Sequence, residues 1–533
     1  MVNMRVSLKA LLSTVTAITL AVGGCAGPGN TGDNQASASD TAPAKNGGSL
    51  TYLFTTAPVD MDPSTSQDNN VAMPLWNAWF QYLVKPKVDS ADFEPMLATS
   101  WQVSPDSKSY VFAINPAAKF SDGSPVRAQD VAFSLQRNVE PEVSLLNAVG
   151  KKIASIVATD DRTVTINLKE PWPHLLADLA SPNAAIYPQA ALTAAGDPKT
   201  FFNSKPIGTG PFVLSSVVPN SSYVVSRNPN YWDTATAPHL DKITMNIVTD
   251  ETARLTAVQG GSAQIAQSPP ANQIAALANS AQVRPLTFTA ARVDLIVLNT
   301  TKPPFDNQGL RQAFSLALNR KAMVDAGLFG NGDVASSFLV PPGTSTFQNP
   351  KLALYPTDPG KAEQLVKQSG VPTPIPVNLT VSTGTVQDAI LTTAKDALDK
   401  IGFKVNAQRK DAASVDNDII GMQYTAGTTF WGNVSADPST QPLFAVDPDY
   451  CCQAYFTGYR NPALVNTLHD AIGTADRNAA QPLWDQVQKG VADGAFLVPL
   501  YYPKLTYVAR RDVAGFKANP YGFYDWAAVG YAQ

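Results

Sequence analysis

Asp358-Pro359-Gly360-Lys361-Ala362-Glu363-Gln364-Leu365-Val366-Lys367-Gln368-Ser369-Gly370 opens the stretch that decides the fold, which continues to Ala407. Asp358 and Pro359 suit an N-cap and a first helical position, and Ala362, Leu365 and Val366 form one apolar stripe. Gly370 stands where such a helix should stop. Residues 376–382 then read as a strand. From Gln387 a second helix sets Ile390, Ala394, Ala397, Leu398 and Ile401 on one face, with Gly402 behind it, and 403–407 returns as a strand. A strand, helix, strand unit with short joints argues for a parallel pair and a right-handed crossover. The fold class is therefore α/β.

Working outward, residues 49–55 alternate, with Leu50, Tyr52 and Phe54 on one face of a strand. Residues 73–83 carry Leu75, Trp76, Trp79, Phe80 and Leu83 at helical spacing, which reads as core. Near the middle lies Lys205-Pro206-Ile207-Gly208-Thr209-Gly210-Pro211-Phe212. A phosphate loop would need G-x-x-x-x-G-K-[ST], and no Lys follows Gly210. Two glycines held between two prolines suit a fixed crossing of the chain.

The chain has 533 residues, 44% hydrophobic and 15% charged, with a net charge of -4. That balance leaves no basic footprint for nucleic acid. The 42 prolines are spread along the chain, which points to many irregular connections.

The first 24 residues read as an export signal: Arg5 and Lys9 precede an apolar run from Ala10 to Val22 that is too short to span a bilayer comfortably. Small residues then lead into Cys25, as in a bacterial lipobox, which makes Cys25 the expected lipidation site. Residues 25–48 are rich in Gly, Ser, Ala, Thr, Asn, Asp and Pro and read as a flexible tether. The expected location is the extracytoplasmic face of a bacterial membrane, with the lipid on Cys25 as anchor.

Cys451 and Cys452 are the other cysteines, and as neighbours in an exported protein they form a strained vicinal disulfide or stay reduced. His174, His239 and His469 lie far apart, without Cys or His neighbours, so no metal site is expected and each is read as a bland surface or half-buried residue. No cofactor is implied.

The most patterned block runs from 97 to 134. It holds Leu97-Ala98-Thr99-Ser100-Trp101, a turn at Ser104-Pro105-Asp106, a strand at 110–114, then Lys119-Phe120-Ser121-Asp122-Gly123-Ser124-Pro125 and a helix start at Arg127. Asp122 suits a turn capped by its own carboxylate. In this order the block resembles the signature region of the bacterial extracellular solute-binding proteins of family 5, the peptide and nickel binders of ABC importers. It departs from that pattern at Asn115-Pro116-Ala117, where the family usually carries a basic tripeptide. The resemblance continues through Ile207-Gly208-Thr209-Gly210-Pro211-Phe212, Arg227-Asn228-Pro229-Asn230-Tyr231-Trp232, Leu240-Asp241-Lys242-Ile243-Thr244, Pro304-Phe305-Asp306 and Leu310-Arg311-Gln312-Ala313-Phe314.

The resemblance implies a two-lobed periplasmic-binding-protein type II fold with an extra α/β domain, the cluster C arrangement. Lobe I would comprise 49–84, 207–291 and 505–533. The extra domain II would occupy 85–206, and lobe III 292–504. A ligand would be enclosed between the lobes by hinge closure. Two segments should line that cleft: the polar loop 64–70, with Gln67, Asn69 and Asn70, and residues 430–438, with Phe430, Trp431, Asn433, Val434 and Asp437. Tyr455 and Tyr459, with the two cysteines, are candidates for the same wall.

In the peptide binders a Trp here precedes by three residues an Asp that holds the ligand ammonium, and this chain has Val434 at that place. Asp437 lies in an Asp-Pro step that suits turn capping as well as amine binding. Where dipeptide binders carry an Arg for the ligand carboxylate, this chain has Ser382-Thr383-Gly384-Thr385. A dipeptide zwitterion would leave buried charges uncompensated at several kcal/mol each. Strict dipeptide specificity is thus disfavoured, which leaves an oligopeptide held along its backbone, or a neutral oligosaccharide stacked on Trp431 or another non-peptide solute.

The expected protein is a monomeric, lipid-anchored receptor that passes its solute to an ABC permease and its ATPase, and is not an enzyme. Against the alternative of an extracytoplasmic hydrolase stand the missing G-x-S-x-G elbow, the missing metal cluster and the scattered histidines. If Cys25 carries the anchor, Cys25→Ala will move the protein from the membrane fraction into the medium, as cell fractionation would report; a variant that stays with the membrane contradicts the assignment.

Overall fold

The computed structural model describes residues 43–66, 69–87, 92–433, 437, 440–450 and 452–533. The helix Pro359–Gln368 starts as its sequence dictates, with the Asp358 carboxylate accepting the Lys361 N–H at 2.9 Å and Gly370 leaving the far end at φ +69°. Strand Ile375–Ser382, helix Thr385–Asp399 and strand Phe403–Lys410 follow, and the two strands pair in parallel from Ile375↔Phe403 to Ser382↔Lys410. The unit read from sequence is present, begun one or two residues earlier than expected in its first strand and helix.

Those two strands sit at one edge of a twelve-stranded sheet. In chain order its strands are β1 Ser49–Phe54, β2 Phe212–Val218, β3 Ser222–Arg227, β4 Lys242–Ile247, β5 Ile265–Gln267, β6 Val283–Thr289, β7 Arg292–Leu298, β8 Gly332–Val334, β9 Ile375–Ser382, β10 Phe403–Lys410, β11 Ala426–Gly432 and β12 Leu497–Arg510. The path across the sheet is β10-β9-β11-β7-β12-β5-β1-β4-β3-β2, with β6 and β8 also paired to β12. The long strand β12 serves both halves. Its first part pairs with β7, from Leu497↔Val297 to Tyr501↔Asp294, and its second with β6, from Lys504↔Thr289 to Arg510↔Val283. Only Ala290 and Ala291 lie between β6 and β7, so the two half-sheets are joined along one narrow seam.

Strand β1 reads as alternating, yet Leu53 is buried as well as Leu50, Tyr52 and Phe54. It lies in the interior of the sheet, and helix Glu251–Gln259 covers its second face through Leu255 and Val258. A strand covered on both faces buries both sets of side chains. The following helix runs Asn69–Trp79, earlier than the spacing suggested, and its aromatics do enter the core: the Trp76 indole N–H donates to Met61 O at 3.0 Å.

Residues between β1 and β2 contain a separate antiparallel four-stranded sheet made of Ala98–Val103, Ser109–Ile114, Thr163–Leu168 and Ile153–Ala158. Helix Ala128–Val139 packs on it through Val131 and Leu135. Asp122 holds its turn as expected, accepting from the Ser124 N–H at 2.9 Å. At the other margin of the chain, Ala44–Lys45 pairs with Gly530–Ala532, which pairs in turn with Val513–Ala514. Among the described residues no helix is long and apolar enough to cross a membrane.

The crossing at Gly208 and Gly210 is a backbone contact with the end of the Asn69–Trp79 helix. The Gly210 N–H donates to Trp79 O at 3.1 Å, satisfying a helix-terminal carbonyl. Gly208 O accepts from the Ser121 N–H at 2.8 Å, and Gly210 O from the Asn228 side chain at 2.8 Å. A Cβ on Gly208 would lie 1.9 Å from Trp79 O, and one on Gly210 2.6 Å from Ala78 O. Glycine is needed here for close approach. Gly208→Ala and Gly210→Ala should each cost roughly 2–3 kcal/mol in urea unfolding through overpacking. Gly473→Ala, with nothing within 4 Å of its Cβ, should leave stability unchanged or slightly raised.

Candidate functional site

Strand directions define one place in the sheet. β1, β4 and β5 run parallel, and β5 and β6 run opposite to β12, so β1, β4 and β5 all end at the seam. β11 is antiparallel to β7 and parallel to β9, which is parallel to β10, so those three also end there. Ligands of open α/β sheets bind outside the carboxyl ends of strands. The segments leaving these ends are 55–66, 248–250 and 268–270 on one side, and 383–384, Asp411 and Asn433 on the other. The described parts of the two stretches singled out in the sequence, 64–66 and 430–433, lie at such ends.

At the end of β11, alternation sends Trp431 and Phe430 to opposite faces. Trp431 is 7% exposed: its indole N–H donates to Phe338 O at 3.0 Å, and Phe338 and Tyr455 meet it edge to face with centroids 6.1 and 4.9 Å away. The ring is packed by its neighbours and offers no open stacking platform in this arrangement. Phe430 is 40% exposed, and the Arg292 guanidinium lies 3.6 Å over its ring. Arg292 is held by two bonds to Asp294, at 2.8 and 2.7 Å.

Asn433 donates its backbone N–H to Ala291 O at 2.8 Å, which ties the end of β11 to the seam. Its side-chain carbonyl is buried with no hydrogen-bond partner. An unpartnered buried acceptor costs about 1–3 kcal/mol, a cost that a donor on a bound solute would offset.

Tyr455 reaches this edge from an unusual backbone. Cys452, Gln453, Ala454, Tyr455 and Phe456 all have positive φ, between 49° and 61°. None is a glycine, and left-handed residues cost about 1–2 kcal/mol each. The turn is held by the Tyr455 hydroxyl donating to Phe430 O at 2.8 Å, the Gly458 N–H to Gln453 O at 2.9 Å and the Thr457 hydroxyl to Ala454 O at 2.7 Å. Burial pushes the Tyr455 hydroxyl up to about 12, so it stays a neutral donor. Cys452 is disulfide-bonded. Tyr459, expected on the same wall, instead stacks on Phe496 with centroids 4.0 Å apart.

The loop after β1 is tied to the extra domain. Asp62 binds Arg137 through two contacts, of 2.8 and 2.5 Å, and the Asn183 side chain donates to Pro63 O at 2.7 Å. The Ser66 hydroxyl is buried without a partner. Gln67, Val434, Cys451 and Cys25 lie outside the described residues, as do the side chains of Asn69 and Asn70.

Asp437 neither stands open to an amine nor is confined to capping its own turn: its carboxylate meets His174 Nδ1 at 2.5 Å. The sequence suggests only a bland surface or half-buried role for His174. It is 9% exposed, and its Nε2 meets Ile472 O at 2.8 Å. No local signal marks this pair, because the partners are 263 residues apart.

Comparison with known proteins places these features in context. The family described as bacterial extracellular solute-binding proteins, family 5 Middle, matches residues 92–449. The chain is similar to heme-binding protein A of Haemophilus influenzae, at 28% identity over 97% of this chain and 98% of that protein. It is similar to the probable D,D-dipeptide-binding periplasmic protein DdpA of Escherichia coli, at 28% identity over 87% and 90%. Among solved structures, DppA of Helicobacter pylori in complex with peptide STSA aligns with a TM-score of 0.79 at 22% identity, covering 92% of this chain and 99% of that one. The fold is that of the type II periplasmic binding proteins with their extra α/β domain, as expected.

The left-handed turn yields a direct check. Gln453 is exposed at φ +49°, so Gln453→Gly removes a steric cost of about 1 kcal/mol. The melting temperature should rise by roughly 1–2 °C; a fall would mean that the turn is not populated in solution.

Proposed function

Because this chain belongs to the bacterial extracellular solute-binding proteins of family 5, we propose that it is the lipid-anchored receptor of an ABC importer, enclosing an oligopeptide between two lobes and delivering it to a membrane permease and its ATPase. The observation that carries this reading is that β1, β4 and β5 of one half-sheet and β9, β10 and β11 of the other end at one seam, which among the described residues is crossed by β12 and the β6–β7 link. A seam with two neighbouring crossings suits a hinge. In this reading 49–84, 207–291 and 505–533 form lobe I, 292–504 lobe III and 85–206 the extra domain. Cys25 bears the lipid, 25–48 is the tether, and Cys451 pairs with Cys452.

The chemistry of the seam favours a backbone-type ligand. Among the described residues there, Arg292, Arg137 and His174 each have a carboxylate partner, in Asp294, Asp62 and Asp437. Capturing the charged ends of a dipeptide would mean breaking these pairs, at a cost of several kcal/mol. Asn433 Oδ1 and the Ser66 hydroxyl are buried and unpartnered, and such neutral groups suit the amides of an extended peptide. DdpA is named for a D,D-dipeptide and the DppA structure holds a peptide, which supports the class. The packing of Trp431 argues against a stacked sugar.

Native mass spectrometry of the protein purified from membranes should detect a co-purifying peptide. In a thermal-shift panel, peptides of four to six residues at about 100 times Kd should add about 2.7 kcal/mol of apparent stability. A shift with neutral oligosaccharides alone would replace the peptide reading, and tighter binding of dipeptides would contradict the role given to the charge-neutral wall.

A further inference from the structure

The extra domain touches the 292–504 region through a histidine with acceptors on both sides. His174 follows Trp172 and Pro173 on the extra domain, while Asp437 lies just beyond β11 and Ile472 sits in the helix Pro462–Gly473. Nδ1 meets the Asp437 carboxylate at 2.5 Å and Nε2 meets the Ile472 carbonyl at 2.8 Å. A neutral imidazole has one N–H, so its other nitrogen would present a lone pair to an acceptor; only the imidazolium donates to both. We propose that His174 and Asp437 form a proton-dependent latch that holds the extra domain against the 292–504 lobe and so favours the closed receptor. This rests on the two-lobed, hinged reading given above.

The surroundings support a bound proton. On the extra-domain side, Asp178 accepts the Trp172 indole N–H at 2.8 Å, the Tyr110 hydroxyl donates to Trp172 O at 2.8 Å, and Lys152 pairs with Glu170. Facing them are Asp447, paired with His469 at 2.8 Å, and Tyr450. These groups line or border a cavity of about 230 Å³ between the two regions. Acidic groups outnumber basic ones here. Burial by itself would push His174 toward its neutral form, but the Asp437 carboxylate and the Ile472 carbonyl outweigh it and hold its pKa above the ordinary value.

The sign follows. In the open state the ring meets water and titrates near its ordinary value of about 6.5, so closure takes up a proton at pH above that value. The latch is at full strength below about pH 6.5 and is lost as pH rises through the higher pKa of the closed state. In that window the closed-to-open ratio changes by at most about tenfold per pH unit, the limit for one linked proton.

The test uses the full, ligand-free chain. It has three histidines, so histidine-selective NMR can follow each ring. One resonance, absent in His174→Gln, should titrate above 6.5, and Asp437→Asn should move its midpoint down. Small-angle scattering from pH 5.5 to 9 should show the wild type expanding as pH rises, and both variants losing that dependence. A wild-type radius of gyration independent of pH, or an expansion that persists in both variants, would overturn the latch. Because no solute is present, such a failure leaves the solute-binding reading standing. Failure to find any solute would likewise leave a pH-dependent expansion intact.

Discussion

The fourteen-residue strand Leu497–Arg510 is the constraint on which the rest depends. Its backbone groups are committed to β7 and β8 along one half and to β5 and β6 along the other. A slip of one residue would turn every side chain to the opposite face in both halves at once. The register of one half-sheet therefore fixes that of the other, and the chain passes between them at the stretch of β12 from Tyr501 to Lys504, where only β8 flanks it before β6 begins, and at Ala290 and Ala291. The ends of β1, β4 and β5 from one half-sheet and of β9, β10 and β11 from the other lie beside these crossings, so a solute lying there would touch both halves.

Much of this architecture is legible in the residues because it rests on local chemistry. Asp358, Pro359 and Gly370 mark their helix by capping and by backbone freedom, and Asp122 closes its own turn. Gly208 and Gly210 announce a close approach, although what they approach, the last carbonyls of the Asn69–Trp79 helix, needs the structure. The family motifs are also largely structural: Arg227 of R-N-P-x-Y-W donates to the carbonyls of Pro238 and His239, and Trp232 to the Gln81 side chain.

The illegible part is what depends on distant partners. Trp431 has the composition of a ligand platform, and the distant Phe338 together with Tyr455 makes it core. The double burial of β1 follows from a helix two hundred residues later. The left-handed turn at Tyr455 has no glycine to advertise it and is paid for by tertiary hydrogen bonds. His174 and Asp437 are ordinary residues in ordinary contexts until folding brings their elements together.

The short ladder between Ala44–Lys45 and Gly530–Ala532 bears on how the protein is made. The loop it closes spans nearly the whole body, and such closure is entropically slow. Strand β1 finds its partners in β4 and β5, but Ala44 and Lys45 cannot pair until residues 531 and 532 have been made. The start of the described body is thus pinned by residues nearly five hundred positions away, through this ladder and through the Tyr531 hydroxyl, which donates to Ser49 O.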